Sequence, residues 1–273
     1  MSGLTFRLKL PASERIDCSE LTPSKLLPLS HWEISRLNAG FGKNGITAGD
    51  AFEISGSADT TITFEDAGEG TGASLDFIGK DLDSGTIIVT GNAGVHVGRN
   101  MRGGDIKIRG NAGNSIATGM TGGLIHIAGN ASDNVGGVLS GDRFGMQGGI
   151  VVIEGNSGAR TGDKMRRGTI IVRGKTGDGA GTRMMGGTIW AEGGFGPAPG
   201  LMMRRGTLVG PSVERLLPTF ADGGKHDLVI TRIMNRHFKT VLGGLAPKPI
   251  PLFVRKISGD LATIGKGEIL LTG

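Results

Sequence analysis

With 273 residues the chain can form one large domain, or a core with two small flanking pieces. Its 52 glycines, 4% aromatic content and lack of tyrosine exclude an ordinary helical bundle and an aromatic-rich sandwich. A formal charge of +5 favours an acidic partner without demanding nucleic acid, and the lone Cys18 excludes an intrachain disulfide, a four-cysteine cluster and a structural zinc knuckle.

The cysteine usage fits a reducing compartment, and no apolar run reaches the roughly 18 residues that span a bilayer. The first ten residues lack a signal-peptide core, so the expectation is a cytoplasmic protein with no membrane contact. In chain order, Leu4, Phe6, Leu8 and Leu10 alternate with Thr5, Arg7 and Lys9, which predicts a strand. A degenerate coil is expected over residues 66–84, because Ile78-Gly79 precedes Val97-Gly98 by nineteen positions.

A repeat follows. Gly85, Gly104 and Gly123 lie nineteen apart, Gly149 comes after twenty-six, and Gly168, Gly187 and Gly206 resume the nineteen-residue interval. The third coil therefore carries a seven-residue insertion, placed at Gly137–Arg143. Each glycine opens a short strand: Thr86–Val89, Asp105–Ile108, Leu124–Ile127, Ile150–Ile153, Thr169–Val172 and Thr188–Ala191. Counting from that glycine, the third and fifth positions are aliphatic and are expected to face inward, the others outward. A turn glycine follows at Gly91, Gly110, Gly129, Gly155, Gly174 and Gly193, where positive φ at a corner would suit glycine. Asn92, Asn111, Asn130 and Asn156 come next, expected as a ladder of left-handed, hydrogen-bonding side chains.

Met101, Met120, Met146, Met165, Met184 and Met203 stand three residues before successive coil glycines, with Leu82 one coil earlier. Six of ten methionines thus share one rung position, which predicts an interior thioether column with a spacing of about 4.8 Å. The regular aliphatic positions argue against disorder, the glycine density against a helical repeat, and the period of nineteen against a left-handed hexapeptide helix. The fold class is all-β: a right-handed parallel β-helix of about seven nineteen-residue coils with small α/β flanking segments. Residues 1–45 are expected as an N-terminal strand and cap segment, 46–210 as the β-helix, and 211–273 as a C-terminal helix and strand cap. Within the last, Leu228, Ile230, Ile233, Met234, Phe238, Val241 and Leu242 keep helical spacing up to Gly243-Gly244, and this helix is expected over the open end.

These residues carry a resemblance. The spacing seen in Gly155-x-x-Gly158-x-x-x-Gly162 resembles the C-terminal β-helix domain of glutamate synthase. The full length, with the tail from Arg255 to Leu270, resembles the C subunit of formylmethanofuran dehydrogenase and its bacterial homologue in the formyltransferase/hydrolase complex. Either placement implies a non-catalytic scaffold subunit in one-carbon metabolism. In the bacterial complex a formyl group would pass from tetrahydromethanopterin to a methanofuran-type polyglutamylated carrier on a formyltransferase subunit. An amidohydrolase-like subunit would then release formate at its own metal site, and a further subunit would complete the assembly. In the archaeal dehydrogenase the neighbouring catalytic subunit would hold molybdenum or tungsten.

The residues suggest no catalytic group, metal site or cofactor site in this chain itself. His96 and His126 occupy different coil positions with neither a carboxylate nor a second histidine at metal-ligand spacing. His126 is expected as a surface residue. Gly265-Lys266-Gly267 lacks the spacing and hydroxyl of a phosphate loop and predicts a turn before the strand Ile269–Leu271. A polysaccharide-acting β-helix would need clustered acids and aromatic platforms, and the chain has only Trp32 and Trp190 with scattered Phe. A nucleic-acid binder would interleave its basic residues with stacking aromatics, which is not seen. What remains is a basic constellation at the methionine corner: Arg99, Arg102, Lys164, Arg166, Arg167, Arg183, Arg204 and Arg205. Stacking would set several in rows and attract a polyanion or acidic surface, against the plain alternative of a solvated edge balanced by acids such as Asp163. With the resemblance, the polyanion would be the carrier's glutamate chain.

Overall fold

The structure is a computed structural model that describes residues 3–9, 14–41, 45–65 and 74–273. Upstream of the repeat lie β1 (Leu4–Leu8), β2 (Arg15–Asp17), α1 (Pro23–Leu26), α2 (His31–Ser35), α3 (Ala48–Ala51), β3 (Phe52–Ser55), β4 (Thr61–Glu65) and β5 (Ser74–Asp76). The repeat strands are β6 (Thr86–Val89), β7 (Asp105–Ile108), β8 (Leu124–Ile127), β9 (Gln147–Ile153), β10 (Arg167–Val172), β11 (Thr188–Ala191) and β12 (Arg205–Gly210). After them come β13 (Ala221–Asp227), α4 (Val229–Leu242), a 3-10 turn at Gly243–Leu245, β14 (Phe253–Gly259) and β15 (Lys266–Leu271). One 13-stranded sheet runs in the order β13-β14-β15-β12-β11-β10-β9-β8-β7-β6-β4-β1-β3, and its rungs from β4 to β12 are parallel.

The register is the one the glycines predict: Thr86 pairs with Asp105, Asp105 with Leu124, Leu124 with Ile150, Thr169 with Thr188 and Thr188 with Thr207. A second column of single parallel bridges links Ala93, Ala112, Ala131, Ser157, Thr176 and Phe195. The fold is a parallel β-helix, right-handed as parallel crossovers require, with about six turns rather than seven. The coil before the repeat differs from expectation. It opens at β4, whose Thr61 pairs with Thr86 twenty-five residues on, so it begins upstream of residue 66 and carries extra residues. Its return half keeps the nineteen-residue interval, with the Phe77 ring stacked on His96 at 4.8 Å. That half alone is visible in the Ile78-Gly79 match. Residues 66–73 and Leu10 lie outside the described residues.

All six corner methionines and Leu82 are fully buried. Each thioether methyl rests where a later glycine lacks a side chain. A Cβ on Gly123 would meet Met101 Cε at 2.5 Å, and one on Gly149 would meet Met120 Cε at 2.6 Å. Gly123 also has φ +90°, so it needs glycine for conformation as well as for room. The turn glycines differ. Gly110 is not among the positive-φ residues, but a Cβ there would stand 2.4 Å from Asn92 Oδ1 and 2.7 Å from Gly91 O, so close stacking excludes a side chain. The asparagine ladder exists without left-handed backbone: Asn92 Oδ1 accepts the Asn111 N–H at 2.7 Å, and Asn111 Oδ1 and Asn130 Oδ1 accept the next rungs' N–H groups at 2.8 Å. Left-handed residues recur four positions later, at His96, Ser115, Asn134 and Arg160.

Both ends are closed. Phe6 of β1, Phe52 of β3 and Phe64 of β4 form a buried aromatic plug, with the Phe6 and Phe64 rings stacked at 5.2 Å. Capping boxes at Ser30/Glu33 and Thr47/Asp50 start α2 and α3 beside it. At the other end β15 adds a parallel rung to β12, with Gly206 opposite Gly267 and Leu208 opposite Ile269, and the antiparallel β14 and β13 follow. Phe220 is nine-tenths buried against Gly200 and Gly259.

Helix α4 does not cap the open end. It lies on the outer face of the sheet, where Phe238 and Leu242, with Ile250 and Val254, pack on Val152, Ile171, Trp190 and Val209. Trp190 and Phe238 meet edge to face at 5.6 Å. These four sheet positions point outward as the alternation predicts, yet α4 buries them; the equivalent positions Lys107 and His126 are polar and bare of it. Arg173 ties down the chain after the helix, donating to Leu245 O at 3.0 Å and to Glu192, which also accepts the Lys248 N–H at 2.9 Å.

If the methionine–glycine column carries the stacking, Met165→Ala lowers stability by about 2–4 kcal/mol. Gly123→Ala lowers it further than the loss of a single glycine normally would, because the methyl meets both Met101 Cε and Gly104 O. Thermal denaturation followed by circular dichroism checks both; a Gly123→Ala protein melting with the parent would contradict this packing.

Candidate functional site

The methionine corner positions the basic residues through two columns. Immediately after each methionine stand Arg102, Thr121, Gln147, Arg166, Met185 and Arg204; immediately before stand Asn100, Gly119, Gly145, Lys164, Arg183 and Met202. Lys164, Arg183 and Met202 all have left-handed backbone. The N–H groups of the first two remain in the ladder, with Lys164 donating to Thr182 O at 2.9 Å and Arg183 to Leu201 O at 2.7 Å.

Four of the eight predicted residues come together. Lys164, Arg166, Arg183 and Arg204 line one open groove of about 740 Å³, a size that suits an extended ligand. The expected rows are partial: Lys164 and Arg183 are on adjacent rungs, but Met185 separates Arg166 from Arg204. Arg167 and Arg205 are exposed on β10 and β12, opposite Gln147 and Lys266, and do not line the groove. Arg99 and Arg102 stand on earlier coils. Arg99 reaches Asp142 of the insertion at 3.9 Å, and its Nε is buried with no hydrogen bond among the described residues. The insertion itself folds back on the wall, with the Val138 N–H donating to Asp163 O at 3.1 Å.

The groove also contains residues that the repeat could not mark. Phe144, just after the insertion, lies between the Arg143 and Arg166 guanidinium groups, each 4.9 Å from its ring centre. Thr263 and Ile264 come from the tail, held where the Thr263 hydroxyl donates to Met203 O at 2.6 Å. The only hint in the sequence is Arg143-Phe144 beside Met146.

Asp163, 1% exposed, receives both Arg160 and Arg183; Arg183 Nε donates to its Oδ1 at 2.9 Å. This hydrogen bond holds the Arg183 guanidinium pKa above its usual value. Arg183 is therefore a latch across two coils as well as a lining residue. Lys164, Arg166 and Arg204 make no ion pair among the described residues. Asp260 anchors the tail: its Oδ2 accepts the Met202 N–H at 3.0 Å and its Oδ1 the Ala262 N–H at 2.9 Å. Burial pushes its pKa upward, but the nearby Thr219 hydroxyl and these two N–H groups outweigh that and keep it below the usual carboxylate value.

The histidines sit elsewhere. His126 Nε2 lies 3.1 Å from Glu154 Oε1 on the adjacent rung, so this outward-facing histidine has a carboxylate partner. Burial, and then the nearby Arg99, lower the His96 pKa from its usual value. No group of three His, Cys, Asp or Glu side chains is gathered as for a metal among the described residues. Cys18 is buried, and burial pushes its thiol well up. No described helix is long and apolar enough to cross a membrane.

Two outcomes test this geometry. Asp163→Ala lowers stability by about 1–2 kcal/mol, less than the loss of a fully buried pair, because both guanidinium groups reach solvent. Asp260 has a lowered folded pKa, so its stabilisation is complete above the unfolded value near about 3.9 and is lost as pH falls through the folded one. The protection of the Met202 amide, taken relative to its intrinsic exchange rate at each pH, therefore falls in acid, and Asp260→Asn removes that dependence; a pH-independent protection of Met202 in the parent would contradict it.

No protein-family model matches the chain. It is 50% identical over 271 residues, 99% of both chains, to the C subunit of the formyltransferase/hydrolase complex Fhc of Methylorubrum extorquens. Its fold matches a chain in the X-ray structure of the formyltransferase/hydrolase complex FhcABCD from Methylorubrum extorquens in complex with methylofuran, with a TM-score of 0.91, 39% identity, and coverage of 98% of this chain and 99% of that one. The match runs from the N-terminal strands through the β-helix to the tail strand, and the chain is a member of the family of C subunits of the formyltransferase/hydrolase complex.

Proposed function

We propose that the chain is the C subunit of a formyltransferase/hydrolase complex, a rigid scaffold beside which formyl-tetrahydromethanopterin is converted to formate through a methanofuran-type carrier. The observation that carries this reading is the end-to-end relationship at 50% identity, which includes the tail as well as the repeat. A stacked β-helix bends little, because each coil is hydrogen-bonded and packed to its neighbours along its length. That suits holding a formyltransferase subunit and an amidohydrolase-like subunit at fixed separation, beside a further subunit that completes the assembly. The transfer and the metal-assisted hydrolysis belong to those partners.

The groove has a part in the same reading: it guides the carrier's glutamate chain. Lys164, Arg166 and Arg204 are cations without intramolecular carboxylate partners among the described residues, and Phe144, Met185 and Ile264 give an apolar floor for the methylenes. Arg166 and Arg204 stand two rungs apart, about 9.6 Å. A self-repelling glutamate run in polyproline II conformation presents every third carboxylate on one side at about 9.3 Å, close to the same repeat. Arg167 and Arg205 extend the positive field outside the groove, and Arg99 and Arg102 continue it beyond the insertion.

Titration of the full chain with a synthetic oligoglutamate at low and high salt tests the groove. Arg166→Glu with Arg204→Glu weakens binding at least tenfold at low salt and flattens its salt dependence. Arg167→Glu alone changes affinity less than threefold. Equal affinity of parent and double variant would remove the carrier role while leaving the scaffold reading intact.

A further inference from the structure

Helix α4 has three stripes where a helix packed once on a core needs two. Its inner stripe, Thr231, Phe238 and Leu242 with Met234 beside them, meets the sheet wall. A second stripe of Val229, Ile230, Ile233 and Val241 is exposed, at 65%, 45%, 57% and 52%. On a 3.6-residue helix these lie within about 120° of one another, on the flank next to the buried side. The third stripe is Arg232, Arg236 and Lys239, spaced four and three apart along one flank of the apolar one. No acidic residue occurs between Val229 and Leu242.

The apolar stripe borders a depression and is continued beyond the helix. A shallow depression of about 480 Å³ is lined by Arg232, Ile233, Arg236, His237 and Thr240. Phe253, 65% exposed, pairs with Asp227 two residues before the helix begins, next to Leu252 at 57%. Scattered apolar residues on a surface need no explanation, but four exposed aliphatic side chains along one side of a helix, with a one-sided charged rim, do. Arg232 is paired with Asp227; Arg236 and Lys239 have no ion pair among the described residues.

We infer that the outer face of α4 is a docking surface for another subunit of the complex, one whose contact surface is apolar at its centre and lined with carboxylates along one side. The inference rests on the reading of the chain as a member of the complex and goes beyond it by naming the surface and its chemistry. A membrane fits less well. An interfacial helix sets its cations on both flanks of the apolar stripe, whereas here they occupy one, and a bilayer leaves no reason for a depression around Ile233. A protein surface with complementary charge along one side satisfies both features.

The test uses the complex purified from its native host through a tag on this chain. Treatment of the parent complex with a water-soluble carbodiimide, which joins an amine directly to a carboxylate, is expected to link Lys239 to an Asp or Glu of a different subunit. Ile233→Asp is expected to lower recovery of that same subunit at least tenfold, and Arg236→Glu at least threefold, while the isolated chain melts as the parent does, since both side chains are exposed. The inference is overturned if both variants assemble at parental stoichiometry, or if Lys239 links only to a second copy of this chain. It is also overturned if the isolated chain sediments with phosphatidylglycerol vesicles in an Ile233-dependent way. A parent chain that emerges with no other subunit overturns the complex reading too, whereas an intact parent complex that tolerates both variants removes only the docking surface.

Discussion

Every part of this molecule depends on a contact repeated up the stack: a methionine methyl set into the space left by a glycine one coil later. Met101 fits against Gly123, Met120 against Gly149, Met165 against Gly187 and Met203 against Gly267. The contact couples conformation to packing, because the glycines of this column from Gly104 to Gly206 turn the chain at positive φ at the corner. The asparagine column does comparable work at the next corner, where each side-chain oxygen accepts the backbone N–H of the rung above and leaves room for no Cβ on the neighbouring glycine. The constraint acts on rungs rather than on chain continuity. The seven extra residues before Gly149 are expelled at one corner without disturbing the pairing of Leu124 with Ile150, and Gly267 takes the next rung after Gly206 once sixty residues have gone elsewhere.

Once the rungs are fixed, each column becomes a surface whose chemistry can change from coil to coil. The outward strand position is Ile88, Lys107 and His126 early in the stack, then Val152, Ile171, Trp190 and Val209. The run of four apolar residues receives α4, and Lys107 and His126 lie outside that cluster. The residue after each methionine is Thr121 and Gln147 in one part of the stack and Arg166, Met185 and Arg204 in another, which creates a local cationic groove without any change of backbone. Function on such a scaffold is written as a choice of coil and column, and the side chains inherit their spacing from the sheet.

Periodicity makes the repeat region legible, since a nineteen-residue interval can be read from Gly85, Gly104 and Gly123 alone. It fails where position depends on something outside the repeat. The first coil is predicted too late, because its strand at Thr61–Glu65 is separated from the return half by extra residues and only the Ile78-Gly79 match remains in phase. The helix at Val229–Leu242 is legible as a helix, but its place on the wall requires noticing that Val152, Ile171, Trp190 and Val209 form an apolar column of their own. In the groove, Lys164, Arg166, Arg183 and Arg204 follow from the column. Phe144, Thr263 and Ile264 do not, being delivered by an insertion and a returning tail. The turn glycines stand where periodicity puts them but for a different reason: Gly110 is needed for space and not for its φ.

The fate of Arg183 shows why a count of positive charges overstates a binding surface. Four cations crowded at one corner repel one another, and a flexible edge would relieve this by letting the side chains splay. Asp163 prevents that. Buried beneath Arg160 and Arg183, it draws one guanidinium from its own coil and one from the next, so the two rungs are clamped at the point where left-handed backbone turns Lys164 and Arg183 outward. The clamp takes up Arg183's charge and leaves the groove with Lys164, Arg166 and Arg204 held at separations set by the rungs. Met185 has a matching effect, since it keeps Arg166 and Arg204 off adjacent rungs and puts a soft apolar side chain between them. In the proposed carrier role, the polyanion would meet three cations whose backbone positions are set by the rungs, beside an apolar floor, rather than four that repel one another.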